Sequence, residues 1–189
     1  MNGSPLHPVY RPGDPRSPVM DLKPLIRDVP DFPKPGIMFK DITPMLANRD
    51  ALAYLVHVTA AAFSGQGITK VVGIESRGFI IAPAIALGLG CGFVPIRKPG
   101  KLPWQCIDEP YSLEYGKDRI EIHVDAVTAQ DKVLLVDDVL ATGGTMAAAL
   151  RLVRRCKSQV AGAAFIIDLA FLGGSKKLDC PVFSVLQYN

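Results

Sequence analysis

The stretch Val133-Leu134-Leu135-Val136-Asp137-Asp138-Val139-Leu140-Ala141-Thr142-Gly143-Gly144-Thr145 constrains the fold of this chain more than any other. The branched apolar residues 133–136 predict a buried parallel strand, because a strand covered on both faces has no reason to alternate. Two acids follow at its carboxyl end, then a turn of small residues, then Met146-Ala147-Ala148-Ala149-Leu150-Arg151-Leu152-Val153, which predicts a helix. Gly143 and Gly144 let the backbone come close to a ligand, and the N–H groups opening the helix, with the Thr142 and Thr145 hydroxyls, suit a phosphate. Asp137 and Asp138 suit sugar hydroxyls or a metal. A tight turn also favours Thr and Gly, and paired acids at a strand end can be merely solvated. Yet a turn needs one glycine at most, and adjacent carboxylates repel each other at a cost that has no structural return. Competing phosphate motifs fit poorly: there is no G-x-x-x-x-G-K-[ST], and Gly88-Leu89-Gly90-Cys91-Gly92 precedes a strand rather than following one.

With 189 residues, 49% hydrophobic and 21% charged, the chain is about one globular domain long. A net charge of +3, with no arginine-rich or aromatic-interleaved stretch, argues against nucleic acid. Cys91, Cys106, Cys156 and Cys180 form no C-x-x-C pair, so reduced thiols in a cytoplasmic protein are expected rather than zinc or disulfides. No apolar run reaches the ~18 residues of a membrane span. Residues 1–19 contain Pro5, Pro8, Pro12, Pro15 and Pro18 and no apolar signal-like run, which predicts an extended, disordered tail dispensable for chemistry.

Beyond the tail, residues 20–189 read as a single domain. A short helix is expected over 21–28, irregular chain over 30–35 and a helix over 51–63. Residues 70–75 predict a core strand. Residues 78–89 predict a helix that is apolar on nearly every face and interrupted by Pro83, buried between the sheet and a second surface that a subunit partner would supply. A strand over 91–96, a basic loop over 97–109 and a hairpin of 111–113 with 119–124 follow. After the motif come strands over 160–167 and 182–186. Strands alternating with helices give an α/β fold with a doubly wound, mainly parallel sheet flanked by helices. Ligands bind such sheets at the carboxyl ends of the strands, where the loops 75–78, 97–101 and 137–145 converge. His57 and His123 are assigned to surface or packing roles.

The motif resembles the phosphoribosyl-pyrophosphate (PRPP) motif of type I phosphoribosyltransferases. Phe32-Pro33-Lys34-Pro35-Gly36-Ile37-Met38-Phe39-Lys40-Asp41-Ile42, Gly73-Ile74-Glu75-Ser76-Arg77-Gly78-Phe79, Tyr111-Ser112-Leu113-Glu114-Tyr115-Gly116 and the ending Phe183-Ser184-Val185-Leu186-Gln187-Tyr188 are similar to the adenine-specific branch of that family, from about Asp21 to the end. The resemblance implies a small N-terminal hood, a mobile lid loop and a homodimer. It implies displacement of pyrophosphate from C1 of PRPP by N9 of adenine, giving AMP. Ala141, Thr142, Gly143, Gly144 and Thr145 would cradle the 5′-phosphate. Asp137 and Asp138 would hold the ribose hydroxyls and orient hydrated Mg²⁺, with no direct protein ligand to the metal.

Pyrophosphate would fall to Ser76, Arg77, Arg97, Lys98 and Lys101, and a non-proline cis peptide is implied between Ser76 and Arg77. Lys98 alone would read as an ordinary solvated lysine; the cluster after a strand is what changes that reading. Glu114 in the lid would handle a purine proton, and Met38, Phe39 and Lys40 would meet adenine through their main chain. Two rivals stand beside this reading. One is a hypoxanthine, guanine or xanthine member of the family. The other is a PRPP-sensing transcription regulator, which needs a DNA-binding module that the Pro-rich first 19 residues cannot form.

Overall fold

The structure is a computed structural model that describes residues 19–113 and 116–189. The expected tail, but for its last residue, and the expected lid acid Glu114 lie outside the described residues. The chain divides into two compact units, residues up to His57 and Val58–Asn189.

In the first unit the helix expected over 21–28 is only one 3-10 turn, Lys23–Leu25, started by the Asp21 carboxylate accepting the Lys23 N–H at 3.0 Å. The chain then extends, because Arg27–Val29 (β1) finds ladder partners in Phe39–Asp41 (β2) and pairs with them antiparallel. Asp28 lies opposite Lys40, and their side chains meet at 2.6 Å, an opposite-charge pair of the kind that pins register. Between the strands, Asp31 accepts the Gly36 N–H at 2.7 Å, and Phe32 packs edge-on against Phe39 with ring centroids 5.0 Å apart. A short helix, Thr43–Ala47 (α1), follows unannounced by apolar spacing. The Asp41 carboxylate starts it, accepting from the Thr43 N–H and hydroxyl at 2.9 Å. The Asn48 side chain then caps Arg49–Phe63 (α2), accepting the N–H groups of Asp50 at 3.1 Å and Ala51 at 3.0 Å. That helix was expected over 51–63; its cap adds two residues at the start.

The second unit holds Lys70–Ile74 (β3), Gly78–Leu89 (α3), Gly92–Ile96 (β4), Cys106–Leu113 (β5), Gly116–His123 (β6), Lys132–Leu140 (β7), Gly144–Arg155 (α4), Gln159–Leu169 (β8) and Val182–Tyr188 (β9). Five of these strands form one sheet in the order β4-β3-β7-β8-β9, every neighbouring pair parallel. The doubly wound expectation is thereby met. The chain leaves β3 through α3 to β4 on one side and leaves β7 through α4 to β8 on the other. Right-handed crossovers running in opposite directions place α3 and α4 on opposite faces, so the order reverses between β3 and β7. A crevice opens at the carboxyl ends of strands at such a switch point.

On the α3 face, Gly73 is required by close approach: a Cβ there would lie 2.7 Å from the Ala82 Cβ. Ile81, Ala82, Ile85 and Ala86 are buried, while Ile80 and Leu87 on the outer face are 52% and 83% exposed. On the other face Met146, Ala149, Leu152 and Val153 of α4 pack with Tyr111, Ile120 and Ile122 of the β5–β6 hairpin. That hairpin is longer than expected, since residues 106–109 belong to β5 and not to a loop, with Cys106 opposite His123. Pro110 hid it, because a proline reads as a break, but a two-stranded ribbon tolerates one on its unpaired side.

Asp131, just before β7, ties the sheet's amino-terminal edge. Its carboxylate accepts from the Thr128 N–H at 2.8 Å and the Thr69 hydroxyl at 2.8 Å and pairs with Lys70 at 3.1 Å. Burial alone would push its pKa up, but the hydrogen bonds outweigh burial and hold it at about 2. The stability this supplies is therefore present above pH ~4 and lost as pH falls from there toward 2. Asp131→Asn is expected to cost about 2 kcal/mol at neutral pH and to flatten the acid limb of the stability curve. Chemical denaturation at pH 7 and pH 3 checks both.

Candidate functional site

At the switch point the carboxyl end of β7 runs into α4 around a cleft of about 80 Å³, lined by residues 139–146 together with Asp137 and Phe165. Gly143, the residue before α4, has φ +76°, and no side chain caps the helix, so its opening N–H groups face the cleft without an internal side-chain acceptor. The loop is braced from behind. A Cβ on Gly143 would overlap the Gly174 carbonyl oxygen, and a Cβ on Gly174 would overlap the Ala141 carbonyl oxygen. Gly174 opens a 3-10 turn, Gly174–Lys177, after β8. In the sequence Gly174 is marked only by the Gly173-Gly174 doublet at the same end of the sheet, with no motif around it.

The two acids near the end of β7 have different surroundings. Asp138 is buried, 3% exposed, and its carboxylate accepts from the Arg77 Nε. Asp137 lines the cleft, its Oδ1 accepting the Asp138 N–H at 2.9 Å. Gly78 at the start of α3 presses on it, since a Cβ there would lie 3.2 Å from that oxygen. Burial first, then the neighbouring Asp138 charge, push the Asp137 carboxyl well above its usual range. A raised folded-state pKa favours folding only while the group is protonated, so this contribution fades as pH rises above ~4. Asp137→Asn mimics the protonated form and keeps the acceptor oxygen. It is expected to raise the Tm of the ligand-free protein at pH 7.5 more than at pH 4.5, with each kcal/mol recovered worth about 2–4 °C.

Ser76 and Arg77 follow Glu75, the first residue after β3, and are exposed. The non-proline cis bond lies between Glu75 and Ser76, one bond earlier than the resemblance implied. A motif carried over by residue type marks the segment but not the bond. Because Ile74 pairs with Ile96 and Gly73 with Val136, the loops leaving β3, β4 and β7 emerge side by side. The cations of the 97–101 loop are held by acids. Arg97 meets Glu75 through Nη2 at 3.1 Å and Nε at 3.3 Å, and Lys101 reaches it at 2.6 Å. Lys98 differs: its ammonium turns to the hairpin, onto Asp118 and the Tyr111 hydroxyl. Met38, Phe39 and Lys40 lie in the first unit at the start of β2, Met38 exposed and the other two half-buried. Among the described residues no group of three or more His, Cys, Asp or Glu is placed to hold a metal.

The family model for the phosphoribosyl transferase domain matches residues 38–183. An adenine phosphoribosyltransferase of Edwardsiella ictaluri is 55% identical over 158 residues, 84% of this chain and 86% of that protein. The crystal structure of adenine phosphoribosyltransferase from Saccharomyces cerevisiae, complexed with D-2,5-dideoxy-2,5-imino-altritol 1,6-bisphosphate and adenine, is 42% identical. It superposes with a TM-score of 0.84 over 87% of this chain and 96% of that one. The Trypanosoma brucei enzyme, solved with AMP, pyrophosphate and ribose-5-phosphate, is 28% identical, with a TM-score of 0.80 over 87% of this chain and 77% of that one.

Proposed function

The chain belongs to the phosphoribosyl transferase family, and from that premise we infer that it converts adenine and PRPP to AMP and pyrophosphate, a step of purine salvage. The carrying observation is an open, uncapped helix start beside an acidic pair at the sheet's switch point, in a chain 55% identical to an adenine phosphoribosyltransferase.

In this reading N9 of adenine attacks C1 of the ribose, the C1–O bond to pyrophosphate breaks, and the N9 proton leaves the purine. The N–H groups and hydroxyls of Ala141, Thr142, Gly143, Gly144 and Thr145 fix the 5′-phosphate. That anchors the sugar and makes attack effectively intramolecular. Asp137 and Asp138 hold the ribose hydroxyls and, facing a centre that gains positive charge as the bond to pyrophosphate stretches, stabilise it. Arg77, Arg97 and Lys101, with Ser76 and Lys98, receive the pyrophosphate. Glu114 takes the proton. Met38, Phe39 and Lys40 present main-chain groups to the purine edge.

Mg²⁺ fits this donor set, since it binds through few carboxylates and mainly through substrate phosphates, and two adjacent acids provide no closed protein cage. When bound it neutralises pyrophosphate as the leaving group. We place residues 20–189 in one functional domain, the protein in the cytoplasm with its four free cysteines reduced, and a second copy against the exposed Ile80 and Leu87 of α3.

A pyrophosphate-release assay tests the reading. Release should require adenine, PRPP and Mg²⁺ together, and no DNA fragment should shift in a gel with or without PRPP; a PRPP-dependent shift without turnover would favour the regulator. Asp138→Asn removes a charge-assisted contact to Arg77 and to the ribose, each worth ~1.5–3 kcal/mol, so kcat should fall at least ~10-fold. Wild-type kinetics in that variant would take Asp138 out of the site.

A further inference from the structure

We propose that Glu75 is a positioning residue of this reaction, its carboxylate orienting Arg97, Lys101 and the Lys98 main chain as the receptor for the pyrophosphate of PRPP. The proposal rests on the functional reading above and adds to it a residue with no assigned role. Glu75 leaves β3 where Ile74 pairs with Ile96, and its own N–H donates to the Ile96 carbonyl at 2.9 Å. Its side chain therefore rises beneath the loop that leaves β4. One carboxylate, 11% exposed, there accepts from Arg97 Nη2 at 3.1 Å and Nε at 3.3 Å, from the Lys98 N–H at 3.1 Å and from Lys101 Nζ at 2.6 Å. Burial opposes its charge, but these donors outweigh burial and hold its pKa at about 2.

A carboxylate among cations meant for an anion is at first sight a competitor. The hydrogen-bond inventory argues otherwise. Arg97 has five N–H donors, of which Glu75 takes two and the Lys101 carbonyl one, at 3.0 Å. Lys101 has three and gives Glu75 one. Among the described residues both cations keep donors for a second anion, and Arg97 and Lys101 bring two positive charges to the one negative charge of Glu75. The rest of the loop is strapped in the same sense, with Arg97 and Glu121 exchanging main-chain hydrogen bonds and the Gly100 N–H reaching the Glu121 carboxylate at 3.1 Å. Long cationic side chains lose rotamer freedom when they bind; here the hub has fixed them beforehand.

The test is calorimetric titration of Mg-pyrophosphate into wild type, Glu75→Gln and Glu75→Asp, with KM for PRPP and for adenine measured separately. Glu75→Gln keeps shape and removes charge. It should weaken pyrophosphate binding and raise KM for PRPP roughly tenfold or more, as expected for loss of charge-assisted hydrogen bonds, while KM for adenine stays unchanged. Glu75→Asp, which keeps the charge one methylene short, should lie between; should the Gln variant fail to fold, the Asp variant must still show the PRPP-specific rise. Equal or tighter pyrophosphate binding in Glu75→Gln would overturn the proposal and make Glu75 a competitor. A parallel rise in both KM values with a lowered Tm would overturn it in favour of a general clamp. Wild type that binds no pyrophosphate would bring down the functional reading itself, a result distinguishable from the other two.

Discussion

Gly174→Ala is expected to weaken PRPP binding about 100-fold while leaving the sheet folded. The added Cβ would overlap the Ala141 carbonyl oxygen and lie 3.0 Å from the Gly143 nitrogen. Both are main-chain atoms of the 141–145 loop, the proposed seat of the 5′-phosphate, so no flexible side chain can yield and the loop itself must move. Forcing atoms into a packed site costs ~1–3 kcal/mol. The upper end applies where backbone is displaced, and it corresponds to about 100-fold in affinity. Gly173→Ala is the control: its Cβ meets only the Lys176 Cδ, at 3.8 Å, although φ of +65° adds strain. Calorimetry with PRPP should separate the two variants. Equal affinity for Gly174→Ala and wild type would mean that the 5′-phosphate does not use residues 141–145.

The contrast between these glycines shows what could be read from the sequence. Gly143 and Gly144 announced themselves because strand, acids, turn and helix follow one another within one stretch, and local order encodes local geometry. Gly174 is separated from its contact by a helix and a strand, and only the register of β7 with β8 brings the two together. Glu75 was legible as part of a motif but not as the anchor of Arg97 and Lys101, for the same reason: the ladder from Ile74 to Ile96 is a long-range fact.

The parallel, doubly wound sheet followed from alternating strands and helices; its strand order is set by the ladders. The helix expected over 21–28 failed where β2 offered β1 a ladder, a tertiary override of local preference. The hairpin runs back to Cys106, beyond the 111–113 segment expected, because residues 106–109 find ladder partners in 120–123. Lys98 is the instructive case among the cations, since composition grouped it with Arg97 and Lys101 while the structure ties its ammonium to Tyr111 and Asp118.

Adenine differs from the oxopurines in the hydrogen-bonding edge it would present to the first unit. The strand carrying Phe39 and Lys40 has a set main-chain path, with Val29 opposite Phe39 and Asp28 opposite Lys40. In the proposed pose a carbonyl of this segment accepts from the adenine amino group and an N–H donates to ring N1. Hypoxanthine inverts both partners: its O6 accepts and its N1–H donates, so two groups of the site would each face their own kind. A site built on one hydrogen-bond pattern rejects a mismatch by ~10⁴-fold or more, because desolvated polar groups are left unpaired. Main-chain recognition also means that Lys40→Arg should keep the preference. The deciding measurement is kcat/KM with saturating PRPP and Mg²⁺ for adenine, hypoxanthine and guanine. The account predicts efficient use of adenine and a loss of about 10⁴-fold for both oxopurines; comparable turnover of either oxopurine would contradict it while leaving the PRPP chemistry standing.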